Sequence, residues 1–243
     1  MPIASVTNFF QLNDVIDGQK SFILKEKTNP FRGLGTYIFA AEYERDLILQ
    51  VPHPIYDEET VEEGTDILKG TNARALFISG THRKSNTKKS PCSGNYYISD
   101  VAHFDKTFFQ EAHRATLHLD KKPVSISIHG MSSKSKCDII LSDGTNLEST
   151  SDALVNRLRN ELVNRGESVG SCNNKDDKEL NLLLCGKTNV QGRLSNKSPN
   201  VCGQSAKQST GLFLHIEQKI NVRKNPENLI NALTTVIPKI IIE

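Results

Sequence analysis

The sequence predicts a single α/β domain: a mixed, mostly parallel sheet with helices on both faces. Short apolar runs alternate along the chain with segments of helical periodicity, which is the order expected of strand–helix–strand units. The chain has 243 residues, 37% of them hydrophobic, and so can bury one core of this size. No internal repeat divides it. We therefore expect one domain over 1–243, with 1–30 as a poorly patterned lead-in segment.

The strands are predicted from apolar runs bounded by turn-forming residues. Most of these runs are apolar at nearly every position, as in strands that are buried on both faces. The polar segments 80–97 and 186–211 are predicted loops, and loops of this length inside a domain are commonly functional. The predicted strands are 35–41, 46–51, 75–79, 124–128, 138–141, 180–185 and 212–216.

The helices are predicted from apolar residues recurring every three to four positions, or from a capping signal. Thr60, with Glu63 three residues later, forms a capping box at the start of one helix. Asn225 and Pro226 are typical of the N-cap and the first position of the closing helix. The predicted helices are 9–16, 59–68, 105–117, 151–165 and 226–236.

Composition and charge exclude few classes of partner. Charged residues make up 24% of the chain and the net charge is +2, which gives no preference for nucleic acid or membranes. No apolar run approaches the roughly 18 residues of a membrane span. Residues 1–30 also lack the pattern of a secretory signal peptide. We expect a soluble protein without a nucleic-acid or membrane partner, whose compartment and oligomeric state the sequence leaves open.

The five cysteines contain no C-x-x-C pair, so a structural zinc site of finger type is not expected. Cys92 and Cys202 both lie in polar loops and are candidates for a disulfide. Cys92 with His82 or His103 is also the basis of an alternative reading, a cysteine hydrolase, which requires a lowered thiol pKa.

Three short polar segments follow predicted strands and bring together candidate metal ligands. His53 follows one strand, His129 follows another, and Glu217 follows a third. The carboxyl ends of strands in an open α/β sheet are where ligands bind. Two imidazoles and one carboxylate are what a catalytic zinc takes from a protein, with a fourth position left for water. With Glu62 at the following helix start as the carboxylate, the sequence predicts Zn²⁺ held by His53, Glu62 and His129.

The ordered motifs resemble those of N-formylglutamate amidohydrolases, phage-type poly-γ-glutamate hydrolases and zinc-carboxypeptidase-like enzymes. Pro52-His53, Glu62-Glu63-Gly64, His129-Gly130 and Ile216-Glu217 carry the resemblance, over about residues 46–218. It implies the zinc-carboxypeptidase and phosphorylase/hydrolase-like fold. The interval from His53 to the glutamate is longer than in carboxypeptidases, which leaves Glu63, Asp57 and Glu58 open as ligands in place of Glu62.

The expected reaction is zinc-dependent cleavage of an amide bond near a carboxylate, in a small-molecule or peptide-like substrate such as an N-acyl amino acid or a γ-glutamyl compound. Glu217 is predicted as the general base. Arg83 and Arg193, one in each long loop, are predicted to bind a substrate carboxylate or the oxyanion. His215 is predicted to be packed or to support a ligand. Besides the cysteine hydrolase, a non-catalytic binding or effector module on the same fold is the other alternative.

Overall fold

A computed structural model of the chain describes residues 9–16, 19–180 and 182–240. Its strands form one nine-stranded sheet in the order β1-β2-β3-β5-β4-β6-β9-β7-β8. The strands are β1 Phe9–Ile16, β2 Gln19–Glu26, β3 Thr36–Ala40, β4 Arg45–Val51, β5 Ala73–Ile78, β6 Val124–Gly130, β7 Ile139–Ser142, β8 Val169–Ser171 and β9 Phe213–Gln218. The helices are α1 Thr60–Thr71, α2 Phe108–Thr116, α3 Leu154–Asn164, α4 Val190–Ser195, α5 Ile220–Arg223 and α6 Glu227–Val236, with a 3₁₀-helix at Lys175–Leu180.

The centre of the sheet is parallel and is joined on each side by an antiparallel pair, β3 with β5 and β7 with β9, while β7 and β8 pair parallel to each other. β5, β4, β6 and β9 run in one direction. β1, β2 and β3 extend the sheet on one side with antiparallel pairing. β7 pairs antiparallel with β9 on the other side. The predicted α/β class and mixed sheet are confirmed, and the four parallel strands end together at one edge.

Both faces of the sheet are covered, as β4 illustrates. Leu47 and Leu49 pack into the larger core with side chains of α1, α3 and α6. Ile48, whose side chain points to the opposite face, packs with Phe109 of α2 and with Tyr37. Alternate residues of a strand face opposite sides, so a strand between two helical layers is apolar at nearly every position.

Two predicted elements are wrong. The predicted helix at 9–16 is strand β1, which pairs with β2 and places Phe9 against Tyr37 and Phe108. The predicted strand at 180–185, of which residue 181 lies outside the described residues, has no strand structure; its apolar side chains Leu180 and Leu182 pack beside Cys137 instead. The lead-in segment therefore contributes two strands, apart from residues 1–8 and 17–18, which the structure does not describe.

The two long loops are joined covalently and by one buried arginine. The anticipated disulfide links Cys92 to Cys202 across 110 residues. Arg193, 2% exposed, donates to the backbone oxygens of Lys187, Val201 and Cys202 and to the hydroxyl of Ser93. A second disulfide, Cys172–Cys185, was not expected from the sequence. Among the described residues, no helix has the length and apolar character needed to cross a bilayer.

Candidate active site

The polar segments singled out in the sequence meet at the carboxyl edge of the parallel strands. His53 follows the end of β4, and His129 lies near the end of β6. Glu217 lies near the end of β9, in register with His129. These strands are neighbours in the sheet, so their ends place the three side chains together.

Three ligating atoms converge between β4 and β6. His53 Nδ1 lies 3.2 Å from His129 Nδ1 and 3.2 Å from Asp57 Oδ2. His129 Nδ1 lies 3.4 Å from the same Asp57 oxygen. All three residues are buried. The backbone turns here because the Asp57 N–H donates to the His53 carbonyl oxygen, and this turn returns the Asp57 carboxylate to the imidazole.

The far nitrogen of each imidazole has its own partner. His53 Nε2 lies 2.9 Å from Asp100 Oδ1, and His129 Nε2 lies 2.9 Å from Ser127 Oγ. An ionised carboxylate only accepts hydrogen bonds, so His53 Nε2 carries the proton. When Nε2 is protonated on both rings, the two Nδ1 lone pairs and the Asp57 carboxylate face a common point. Carboxylate–histidine pairs of this kind orient metal-binding imidazoles in proteins.

The charges around His53, His129 and Asp57 favour a cation between their three ligating atoms. Burial opposes charge on His53, but the carboxylates of Asp100 and Asp57 outweigh it and raise the His53 pKa. The imidazoles of His129 and His53 hold the pKa of Asp57 well below its usual range, against the effect of burial. Burial lowers the pKa of His129 to about 4, so this ring is neutral at neutral pH and, in the tautomer with the proton on Nε2, its Nδ1 carries a lone pair.

The acidic residue beside the histidines is Asp57, and Glu62 lies elsewhere. Glu62 is exposed on α1 and belongs to none of the His/Cys/Asp/Glu groups in the described residues whose ligating atoms lie within 4.8 Å of one another. His53, Asp57 and His129 form one such group. Thr60 Oγ1 donates to the Asp57 carbonyl oxygen, so α1 begins without the expected capping box. Glu62, in the first turn of α1, is turned to solvent.

Glu63, the neighbour of Glu62, points into the protein and pairs with the end of β9. Its Oε1 accepts a hydrogen bond of 2.6 Å from Gln218 Nε2. Burial raises the pKa of Glu63 to about 8. Glu63 is thus a neutral carboxylic acid at neutral pH, buried against Gln218 at the end of β9.

We expect Glu63→Gln to flatten the pH dependence of stability. The pKa of Glu63 is 4.5 for the free side chain and about 8 when folded, so the folded chain binds the extra proton in this window and loses stability as pH rises through it. The variant should match the parent near pH 5 and exceed its free energy of unfolding at pH 8 by roughly 2–5 kcal/mol. Urea unfolding at both pH values measures this. Glu62→Gln, the exposed neighbour, is the control, and a pH curve parallel to that of the parent would contradict the assignment.

His215 and Glu217 complete the cluster from β9. His215 Nε2 lies 3.7 Å from Glu217 Oε1, and the ring centroid of His215 lies 4.6 Å from that of His129. Burial, followed by the nearby Asp57 carboxylate, raises the pKa of Glu217 well above its usual range. The His215 Nδ1 is buried and has no hydrogen-bond partner in the described part of the chain. His215 and Glu217 are two apart on a strand and share a face, which is the signal that could have placed His215 here.

Of the two predicted arginines, only Arg83 reaches the histidines. Its Nε donates to Asp100 Oδ2 at 2.9 Å, and its Nη1 lies 3.3 Å from His53 Nδ1. The guanidinium also lies over the ring of Tyr56, 5.3 Å from its centroid. Arg193 is engaged between the loops by the four contacts described above. We therefore do not propose Arg193 as a catalytic residue.

The cluster opens into a cleft of about 270 Å³. Arg83 and Tyr96 line one part of it, and a segment that precedes α4 lines another. His103, stacked on Tyr96 with centroids 3.5 Å apart, donates from Nδ1 to Asp100 Oδ1 at 2.9 Å. The residues lining the cleft are His53, Arg83, Tyr96, His103, His129, Leu183, Leu184, Cys185, Gly186, Lys187, Thr188, His215 and Glu217.

The cysteine-hydrolase alternative has no nucleophile in this arrangement. Cys92 is bonded to Cys202, so its sulfur is not a thiolate. His82 accepts a hydrogen bond from the Lys84 N–H and packs its ring against Tyr56. The free cysteine in the described residues is the buried Cys137, which packs with Met131 and Ile140.

Comparison with known proteins finds distant structural likeness. No family model and no curated protein matches the sequence. The chain is similar to a bacteriophage poly-γ-glutamate hydrolase at 14% identity and a TM-score of 0.40, over 81% of this chain and 76% of that one. It is similar to a succinylglutamate desuccinalase from Vibrio parahaemolyticus at 11% identity and a TM-score of 0.47, over 94% and 78%. A metallo-carboxypeptidase from Pseudomonas aeruginosa, in complex with (2-guanidinoethylmercapto)succinic acid, is similar at 12% identity and a TM-score of 0.42, over 96% and 65%.

These neighbours are of the classes that the sequence motifs resemble. Their TM-scores lie below 0.5, so the activity has to be inferred from the site residues of this chain.

Proposed function

We propose that the protein is a zinc-dependent hydrolase that cleaves an amide bond next to a carboxylate. The observation that carries this proposal is the convergence of His53 Nδ1, His129 Nδ1 and Asp57 Oδ2. Two imidazole nitrogens and one carboxylate oxygen are the ligand set of many catalytic zinc sites, which keep a fourth position open. Asp57 takes the place that the sequence pattern gave to Glu62.

The separations of the three atoms fit a tetrahedral ion. Zinc lies about 2.0–2.2 Å from nitrogen and oxygen ligands, so ligand atoms at tetrahedral angles are about 3.3–3.6 Å apart. The separations here are 3.2, 3.2 and 3.4 Å, of which two lie just below this range and one within it. When bound, zinc supplies positive charge that polarises the scissile carbonyl group and acidifies water.

Glu217 is the proposed proton carrier. It lies in the cleft beside His215, in register with His129, and its carboxyl group is mostly buried. In the proposed reaction Glu217 accepts a proton from the attacking water and returns it to the leaving amine. Burial raises the pKa of Glu217, which favours the protonated form that donates to the leaving amine.

Arg83 is proposed to recognise the carboxylate of the substrate. Its guanidinium faces the cleft beside His53, and Asp100 fixes it through the Nε–H. Nε and Nη2 both contact Asp100 Oδ2, Nη2 at 2.5 Å, so Nη1 and the second N–H of Nη2 are the donors left for a substrate carboxylate. A guanidinium binds a carboxylate with paired hydrogen bonds, which a lysine ammonium does not reproduce.

We expect Arg83→Lys to lose most of the preference for an acidic substrate. The parent should hydrolyse N-acetyl-glutamate faster than its α-amide, and the variant should reduce the ratio of the two kcat/KM values by about tenfold or more, as for loss of a charged hydrogen-bonded pair. Zinc content should not change. Arg74→Lys is the comparison variant, since Arg74 pairs with Asp46 outside the cleft. An unchanged acid-to-amide ratio in Arg83→Lys would remove the carboxylate pocket from the proposal.

The proposed function is tested by metal content and turnover together. Purified protein is assayed for bound metal by mass spectrometry and for amide hydrolysis with N-formyl-, N-acetyl- and γ-glutamyl-glutamate. We expect one zinc per chain, loss of activity on treatment with a chelator, and recovery on addition of zinc. Bound zinc without hydrolysis of any substrate would favour the non-catalytic binding module instead, and a chain that binds no zinc would contradict the proposal.

A further inference from the structure

One side of the cleft is formed by an apolar stretch of chain that the proposed chemistry does not use. We call residues 182–188, which precede α4, the wall segment. Leu183 is 89% exposed, the highest value among the large apolar side chains that the structure describes, and Leu184 is 38% exposed. Both line the same cleft as His129 and Glu217. Exposed apolar surface beside a reactive cluster is typical of ligand-binding sites.

The backbone of the wall segment is held at Cys185 and Lys187 by a disulfide and two hydrogen bonds. Cys185 is disulfide-bonded to Cys172, and its carbonyl oxygen accepts a hydrogen bond of 2.8 Å from Ser142 Oγ. The carbonyl oxygen of Lys187 accepts another of 2.8 Å from Arg193 Nε. The two leucines therefore stand next to a fixed stretch of backbone. A side chain presented in this way needs little ordering when a ligand covers it.

Gly186 brings the wall segment against the catalytic cluster. A Cβ atom at this position would lie 2.8 Å from the ring of His215, and φ is +62°, so only glycine allows the contact without strain. The backbone of the segment therefore packs directly on an imidazole of the cluster. Leu183 and Leu184 come three and two residues before Gly186 and line the same cleft as His215.

The wall segment and Arg83 lie at opposite ends of a series of contacts. Arg83 Nη1 contacts His53, whose ring centroid is 4.8 Å from that of His129. His129 is followed by His215 at 4.6 Å, and His215 by Gly186. In order of contact, the three imidazoles thus lie between a guanidinium and the segment that carries the two leucines. The two histidines proposed as zinc ligands are in the middle of this series.

We propose that Leu183 and Leu184 form an acyl-group subsite, so that the preferred substrates are amino acids N-acylated with an apolar chain. This inference rests on the proposed function and narrows its substrate class. The amino-acid carboxylate binds at Arg83 and the acyl chain covers the two leucines. Lys187, which is exposed on the same segment, can extend its ammonium group into water, whereas the leucines remain apolar in any orientation.

The test compares acyl groups on one amino acid. Values of kcat/KM are measured for N-octanoyl-, N-acetyl- and N-succinyl-L-glutamate with the parent, with Leu183→Ser/Leu184→Ser, and with Leu147→Ser. Leu147 is 44% exposed and lies outside the cleft, which makes it the matched control. We expect the parent and the control to prefer octanoyl over acetyl by about tenfold or more. The double variant should lose this preference, mainly through KM.

Three outcomes would overturn the subsite: equal rates for octanoyl and acetyl in the parent, a preference for succinyl, or an octanoyl preference that survives in the double variant. Turnover of N-acetyl-L-glutamate shows separately whether the proposed function holds.

If no compound is hydrolysed, calorimetric binding of the octanoyl and acetyl compounds still decides. Tighter octanoyl binding that requires the leucines supports the subsite, and equal dissociation constants overturn it. Melting temperature confirms that the double variant is folded, and Leu183→Ser alone serves if it is not.

Discussion

Asp57→Ala is expected to lose tightly bound zinc, whereas Glu62→Ala is expected to keep it. Asp57 contributes the buried oxygen that lies 3.2 and 3.4 Å from the two Nδ1 atoms, and Glu62 is exposed on α1. Removal of a supporting residue around a metal typically weakens affinity by about 10–100-fold. Loss of a direct ligand should weaken it by more than this. Competition with a chromophoric chelator measures both affinities on the same scale.

The two variants form a matched pair, because each replaces one carboxylate of the same turn and helix start with a methyl group. If Glu62→Ala lost zinc and Asp57→Ala retained it, the ligand set first predicted from the sequence would stand and the structural assignment would fall. His129→Ala provides the positive control, since both sets include this residue.

Glu217→Gln is expected to reduce kcat by about 10²–10⁴-fold, the range for loss of one acid–base group. Glutamine has nearly the same shape but cannot accept the proton of water. Zinc content should not change, because the Glu217 carboxylate is outside the proposed ligand set. The melting temperature should stay the same or rise, since burial disfavours the charged carboxylate.

The control for this variant is Glu62→Gln, the same chemical change on an exposed side chain, which should leave kcat unchanged. If Glu217→Gln turned over substrate like the parent, the proton carrier would have to be another group in the cleft. His215, whose imidazole approaches Glu217, would be the next residue to replace.

The edge of the sheet could be predicted because strand ends are local features of the sequence. His53, His129 and Glu217 each follow an apolar run, and parallel neighbours end at one edge whatever the loops do. The choice between Asp57 and Glu62 could not be made from the apolar runs. It depends on how the chain turns after His53, and two prolines and three acidic residues between 52 and 59 allow several turns.

Arg83 and Arg193 show the other limit. Both are arginines in long polar loops, and the sequence gives them the same signal. Arg193 is buried because its loop closes on Ser93, 100 residues away, to which Cys202 is tied through its disulfide with Cys92. Strand β1 was misread for a related reason: its pairing with β2 and its contact with α2 outweigh local propensity.

Because two disulfides hold segments around the cleft, we expect the order of these segments to depend on whether the disulfides have formed. One crosslink closes a span of 13 residues and the other a span of 110. On a chain-entropy scale, a 15-residue loop stabilises by about 3 kcal/mol and a 100-residue loop by about 4.7 kcal/mol, so the long one restricts the unfolded chain more. Both crosslinks join segments around the cleft, and neither joins two strands of the parallel centre. We therefore expect chain refolded under thiol to form the same parallel centre as chain refolded in air, but with the segments around the cleft held less firmly.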